Sequence, residues 1–183
     1  MPRVGFSGLR YALVTADTTS TLTYGEPVLM PQAIELKITR NSQTAKNYAD
    51  DGVAAVSFSA EDSDVELTIG KFDVDLRAAL TGRTVTNGRM DVTGAEPPYI
   101  ALGWIATKDD GKKEWHWLLK GKFSQPDDNY KTKGENVEFQ NYTLKGSFAK
   151  TEKTGKSEAI MDESSTSYVA DSGATFIATV PTT

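Results

Sequence analysis

Apolar residues recur at every second position along much of the chain, the spacing of strands with one buried face. Ile34, Leu36 and Ile38 alternate with Glu35, Lys37 and Thr39, which predicts that the first set faces a core and the second faces solvent or a neighbour. Leu9, Tyr11 and Leu13 alternate in the same sense, and Val65, Leu67 and Ile69 alternate with Glu66 and Thr68. Trp115, Trp117 and Leu119 fall on one side of a further strand, opposite Glu114, His116 and Lys120. Residues 99–105 are apolar on both sides, as expected of a central strand or of one whose outer face another subunit covers.

Turn chemistry agrees with antiparallel pairing. Asn87-Gly88 is the strongest hairpin signal, because both central residues of a type I′ turn need positive φ, and it predicts that Val85 pairs with Met90. Asp109-Asp110-Gly111 marks a longer hairpin loop between the tryptophan-bearing segments. Val137 and Phe139 follow odd numbers whereas Tyr142, Leu144 and Phe148 follow even ones, so a β-bulge is expected near Gln140 or Asn141. One short helix is expected at about 73–81: Leu76, Ala79 and Leu80 share a face, Asp73 caps the start and Gly82 ends it. Residues 41–60 read as a long loop containing Tyr48, Asp50 and Asp51. The polar stretch from Thr151 reads as a linker to about Thr166, followed by a docked extension. The expected fold is mainly β, a β-sandwich or open barrel over residues 1–150 with a linker and extension over 151–183.

Composition narrows the chemistry. With no cysteine and a single histidine, His116, thiolate nucleophiles, disulfides and zinc sites built on cysteines or several imidazoles are excluded. His116 lies between two tryptophans beside Glu114 and Lys120 and is read as a solvated or interface histidine rather than a general base. Acidic pairs at Asp50-Asp51, Asp62 with Asp64, Asp73 with Asp75, Asp109-Asp110 and Asp127-Asp128 lack the spacing of a calcium loop. Asp109-Asp110 and Asp127-Asp128 read as turns, and Asp73 with Asp75 as first-turn helix carboxylates. No glycine-rich phosphate loop is present. The net charge of −5 disfavours a protein that grips nucleic acid tightly. No apolar run reaches membrane-spanning length and the first residues lack a secretion signal, so a soluble protein made in a cytoplasm, without membrane insertion, is expected. Neither catalysis, a cofactor nor a metal is expected.

The order of several segments resembles a known family. Val4-Gly5-Phe6 with Leu9-Arg10-Tyr11-Ala12, then Leu22-Thr23-Tyr24-Gly25-Glu26-Pro27-Val28, is similar to the opening of major tail proteins of long-tailed phages of Gram-positive bacteria. Tyr48-Ala49-Asp50-Asp51-Gly52 resembles their acidic loop, and Pro98-Tyr99-Ile100-Ala101-Leu102-Gly103-Trp104 continues the likeness. So do residues 119–126 and 130–140, so that the resemblance runs in order over about residues 4–150. It implies a tail tube subunit of the virion: hexameric rings that stack into a hollow tube around the tape measure protein, joined by tail terminator and distal tail proteins, through which double-stranded DNA later passes. On that reading Lys46, Tyr48, Asp50 and Asp51 are candidates for contacts between rings. Glu35, Lys37, Thr39, Glu66 and Thr68 are candidates for the lumen or outer strand face. A lumen sharing the chain's negative sign would repel phosphates from its wall. The other reading from the residues is a carbohydrate-binding or adhesion β-sandwich on a virion or cell surface, using exposed aromatics.

Overall fold

A computed structural model describes residues 2–49, 52–92, 94–126 and 141–183, with side chains left out for 43–49 and 52–61. The chain begins with β1 (Arg3–Asp17), β2 (Leu22–Tyr24) and β3 (Val28–Leu29), then forms the long pair β4 (Ala33–Ala49) and β5 (Gly52–Ile69). The helix α1 (Val74–Thr81) and the small hairpin β6 (Val85–Thr86) and β7 (Arg89–Met90) follow. Next come β8 (Ile100–Lys108), β9 (Lys113–Phe123), β10 (Tyr142–Ala149), β11 (Glu158–Asp162) and α2 (Ser172–Ala178).

One antiparallel sheet dominates, in the order β2-β1-β8-β9-β10-β5-β4, with β3 added to β1 and β11 added to β9. The sheet is open: β4 ends the path and pairs with β5 alone among the described residues.

Strand alternation builds two cores. Even-numbered Ile100, Leu102, Trp104 and Leu118 face the larger one, with Leu9, Tyr11, Val65, Leu67, Ile69, Phe123, Leu144 and Phe148, and α1 covers it through Leu76 and Leu80. Odd-numbered Ala101, Trp115, Trp117 and Leu119 face the other side, where Ile177 and Val180 of the C-terminal segment cover them. Residues 99–105 are therefore apolar on both sides because β8 is central, between β1 and β9. Gly121 and Gly103 are required by close approach: a Cβ on Gly121 would lie 2.3 Å from the Phe148 ring, and one on Gly103 2.7 Å from Trp117.

Local signals behave as their chemistry dictates. The Asp73 carboxylate accepts the Leu76 N–H at the start of α1, and Gly82 ends it at φ 71°. Val85 pairs with Met90 across Asn87 and Gly88, whose φ angles are 54° and 76°. Asp109-Asp110-Gly111 joins β8 to β9, with Gly111 at φ 80°.

Several expectations are corrected. Ile34 does not join Leu36 and Ile38 in the core but is 52% exposed, because pairing slips there: Ala33 faces Ile69 and Glu35 faces Thr68, leaving Ile34 as the extra residue. Leu13 is 39% exposed where its neighbour is Gly25, which has no side chain to cover it. His116 is not solvated but 2% exposed. The described residues of 41–60 are strand rather than loop, because β4 and β5 go on pairing past Arg40, with register shifts at Asn41 and between Asn47 and Tyr48; Asp50 and Asp51 lie outside the described residues. The linker expected to reach Thr166 already contains β11, and α2 is a second helix that periodicity alone did not show. For the bulge expected near Gln140 or Asn141, Gln140 lies outside the described residues, as do Val137, Phe139 and Asp127-Asp128. From Tyr142 to Phe148 the pairing with β5 runs without a shift.

Candidate assembly edge

β4 is an edge strand whose two faces differ. Leu36 and Ile38 pack inward on the larger core with Phe6 of β1. The opposite face carries cross-strand rows over β4, β5 and β10: Glu35, Thr68 and Thr143, then Lys37, Glu66 and Lys145, then Thr39, Asp64 and Ser147, with Lys122 beside Ser147. Glu35, Lys37 and Thr39 are exposed, and Glu66 and Thr68 are half-buried. Opposite charges alternate along the middle row, the favourable arrangement for directly facing side chains. The face as a whole has three carboxylates, Glu35, Asp64 and Glu66, against three ammonium groups, Lys37, Lys122 and Lys145. Lys122 is further held by Glu96. The chain's acidic surplus is therefore carried elsewhere.

Beyond Arg40 the two strands continue as a ribbon, from Ser42 opposite Ala60 to Ala49 opposite Gly52, in which each pairs only with the other among the described residues. The pairing shifts between Arg40 and Ser42, where the Asn41 amide donates to the Asp64 carboxylate at 2.9 Å. That bulge marks where the ribbon leaves the sheet. At strand rise, residues 41–49 span roughly 30 Å. Lys46 and Tyr48 lie in this ribbon opposite Val56 and Val53, and Asp50 and Asp51 lie outside the described residues. Lys46 and Tyr48 thus lie on the same two strands as Glu35, Lys37, Thr39, Glu66 and Thr68, beyond the bulge that separates ribbon from sheet.

A network of charged side chains fastens the base of that hairpin. Arg40 donates to both carboxylate oxygens of Glu158 on β11, at 2.7 to 3.0 Å. Glu158 also faces Nδ1 of His116 at 3.4 Å, while Nε2 faces Glu114 at 3.3 Å. The His116 ring stacks on Trp104 with centroids 4.9 Å apart and planes 3° from parallel. Arg3 and Lys108 converge on Glu114, and Lys108 is shared with both oxygens of Asp162 at 2.7 Å. Burial pushes the Glu158 carboxyl up, but donors from His116 and Arg40 outweigh it and hold it below the usual carboxylate range. The Lys108 ammonium does the same for Asp162. With both ring nitrogens facing carboxylates and one ring face on Trp104, His116 serves as a crosslink between β9 and β11.

These roles were not evident from sequence. Alternation does place Glu114, His116 and Lys120 on one side of β9, but the strand that covers that edge, β11, lies in a segment whose composition reads as a linker. The three tryptophans are all buried, so none of them offers a ring face to a saccharide. Among the described residues there is no group of three or more His, Asp or Glu side chains placed to hold a metal ion, and no helix is long and apolar enough to cross a membrane. No protein-family model matches the chain, and no curated protein matches it.

Proposed function

We propose that the chain is a structural subunit that joins copies of itself through the β4 edge, forming closed rings that stack into a hollow tube. The observation that carries this reading is the hairpin: a long edge strand, paired on one side only among the described residues, that continues past the sheet as a two-stranded ribbon. An unpaired edge offers a row of backbone donors and acceptors to another strand, and rotational symmetry converts such head-to-tail pairing into a ring. Native monomers usually blunt their edges; here β4 is among the longest strands of the chain.

The ordered resemblance to phage major tail proteins supplies the biological form of this assembly: a virion tail tube, built in the host cytoplasm, with the tape measure protein inside and the tail terminator and distal tail proteins at its ends. Double-stranded DNA passes through without being held. The mixed-sign face around Lys37, Glu66 and Lys145 suits a passage wall, because alternating charges give phosphates no continuous cationic track. On this reading the subunit carries no catalysis.

The test shortens the ribbon. Replacing residues 46–56 with Asn-Gly joins Ala45 to its register partner Ser57 through a two-residue turn. Light scattering should show large assemblies for the unaltered protein and a folded monomer for the shortened one. Equal assembly by both contradicts the role given to the ribbon.

A further inference from the structure

Asn87-Gly88 is the one Asn-Gly pair in the sequence. It forms the turn between β6 and β7, with both residues exposed and at φ 54° and 76°. The space around Gly88 is open: a Cβ built there would meet nothing within 4 Å. Each strand of this hairpin is two residues long, and the two pair only with each other among the described residues, Val85 with Met90 and Thr86 with Arg89. A two-stranded hairpin alone is marginally stable in water, so this one opens at little cost and without unfolding the main sheet.

Asparagine before glycine has an intramolecular reaction available to it. The Gly88 backbone nitrogen gives its proton to hydroxide and attacks the Asn87 side-chain carbon. A bond forms between them, the bond to the side-chain amide nitrogen breaks, and that nitrogen takes a proton from water and leaves as ammonia. Water then opens the five-membered imide at either carbonyl, giving aspartate or isoaspartate, with no oxidant or reductant involved. Glycine favours the attack because no side chain crowds its nitrogen or restricts its torsions. The folded turn opposes it: in the left-handed conformation of Asn87 the Gly88 nitrogen points away from the Asn87 Cβ, out of reach of the side-chain carbon. The hairpin has to open before the reaction can occur.

We propose that Asn87 is a deamidation site that the folded turn protects and that transient opening of the β6–β7 hairpin exposes. Conversion runs one way. Either product adds a negative charge, and isoaspartate also adds a methylene to the main chain, which a two-residue turn with positive φ at both positions cannot absorb. Because α1 packs against both strands of the hairpin, the lost turn removes support from the helix that covers the larger core. The site shares no residue with the assembly edge and stands or falls without it.

In the test, the whole chain is held in mildly alkaline buffer, sampled over time and cut with trypsin, which releases Thr84–Arg89 between Arg83 and Arg89. Mass spectrometry follows the change from amide to acid, and an isoaspartyl methyltransferase measures isoaspartate, each corrected by the zero-time sample. Conversion at Asn87 should be first-order, on the order of tenfold slower than in the free Thr84–Arg89 peptide, and faster than at Asn41 and Asn141, which precede Ser42 and Tyr142. Urea below the unfolding transition should leave the rate nearly unchanged, because local opening exposes little surface. A rate equal to that of the free peptide means that the turn gives no protection. No conversion beyond that at Asn41, or conversion that rises steeply with urea as global unfolding does, means that the hairpin does not open on its own. Either result overturns the proposal.

Discussion

Arg40 on the sheet edge grips Glu158 on β11 with bonds from both Nε and Nη2, across 118 positions of sequence. Arg40 stands at the last regular pair before the ribbon begins, and Glu158 is the first residue of the strand that closes the β9 edge. The pair therefore ties the root of the ribbon to the C-terminal segment. The Arg40 side chain is 54% exposed, so solvent screening limits its worth. A double-mutant cycle with Arg40→Ala and Glu158→Gln should give a coupling of about 0.5–1 kcal/mol, read from denaturant midpoints. Exchanging the two residues should recover part of it.

Acid should loosen this region and the end of β1 together. Asp17 accepts bonds from the Lys120 ammonium and from the backbone N–H groups of Glu152 and Lys153, pinning β1 to the turn that leads to β11. Burial raises its pKa, the donors lower it further than that, and the net shift is downward. Glu114, Glu158 and Asp162 are shifted the same way. A carboxyl with a depressed folded-state pKa contributes stability that is complete above the unfolded value, near 4, and is lost as pH falls through the folded one. Tm should be flat down to about pH 5 and drop steeply below pH 4. Asp17→Asn should lower Tm at neutral pH, and its gap from the unaltered protein should narrow steadily as pH falls below 4. A constant gap at all pH values contradicts this role for the carboxylate.

Phe148 occupies the space that a side chain on Gly121 would need. Gly121→Ala should destabilise the fold by about 1–3 kcal/mol through overpacking. Because the clash is with the Phe148 ring itself, adding Gly121→Ala to Phe148→Ala should cost almost nothing more. Additive losses measured by chemical denaturation would show that Gly121 matters for another reason.

The C-terminal segment covers the second core. The Trp117 indole donates to the Phe176 carbonyl at 2.9 Å, Tyr168 stacks on Trp115, and Ile177 is buried beside them. Ile177→Ala should cost about 2–5 kcal/mol and shift tryptophan emission to the red as water reaches the cluster. Unchanged stability and emission would mean that the segment is only loosely attached.

How far the sequence reveals this molecule depends on whether a residue's surroundings are local. Asp73, Gly82, Asn87 and Gly88 carry their conformations in their own chemistry, and the helix and small hairpin were legible from them. Val65, Leu67 and Ile69 alternate cleanly, so their burial was legible too. Ile34 misleads because a bulge reverses its side, and nothing in Ala33-Ile34-Glu35 announces that bulge. His116 misleads because its cover comes from Glu158 and Trp104, one of them 42 residues away. Residues 41–60 alternate too weakly, with small and polar residues on both sides, to outweigh the turn signal of Asp50-Asp51-Gly52. The site was legible only as composition: the residues of the outer row were visible, but not that the ribbon grows from the same two strands.

The central claim is that β4 serves to join one copy of the chain to another. Negative-stain electron microscopy of the purified protein over a range of concentrations, with light scattering on the same samples, tests it most directly. Closed rings or hollow tubes of uniform diameter are the predicted result. A monomer at every concentration, with no ordered particle on the grid, contradicts it.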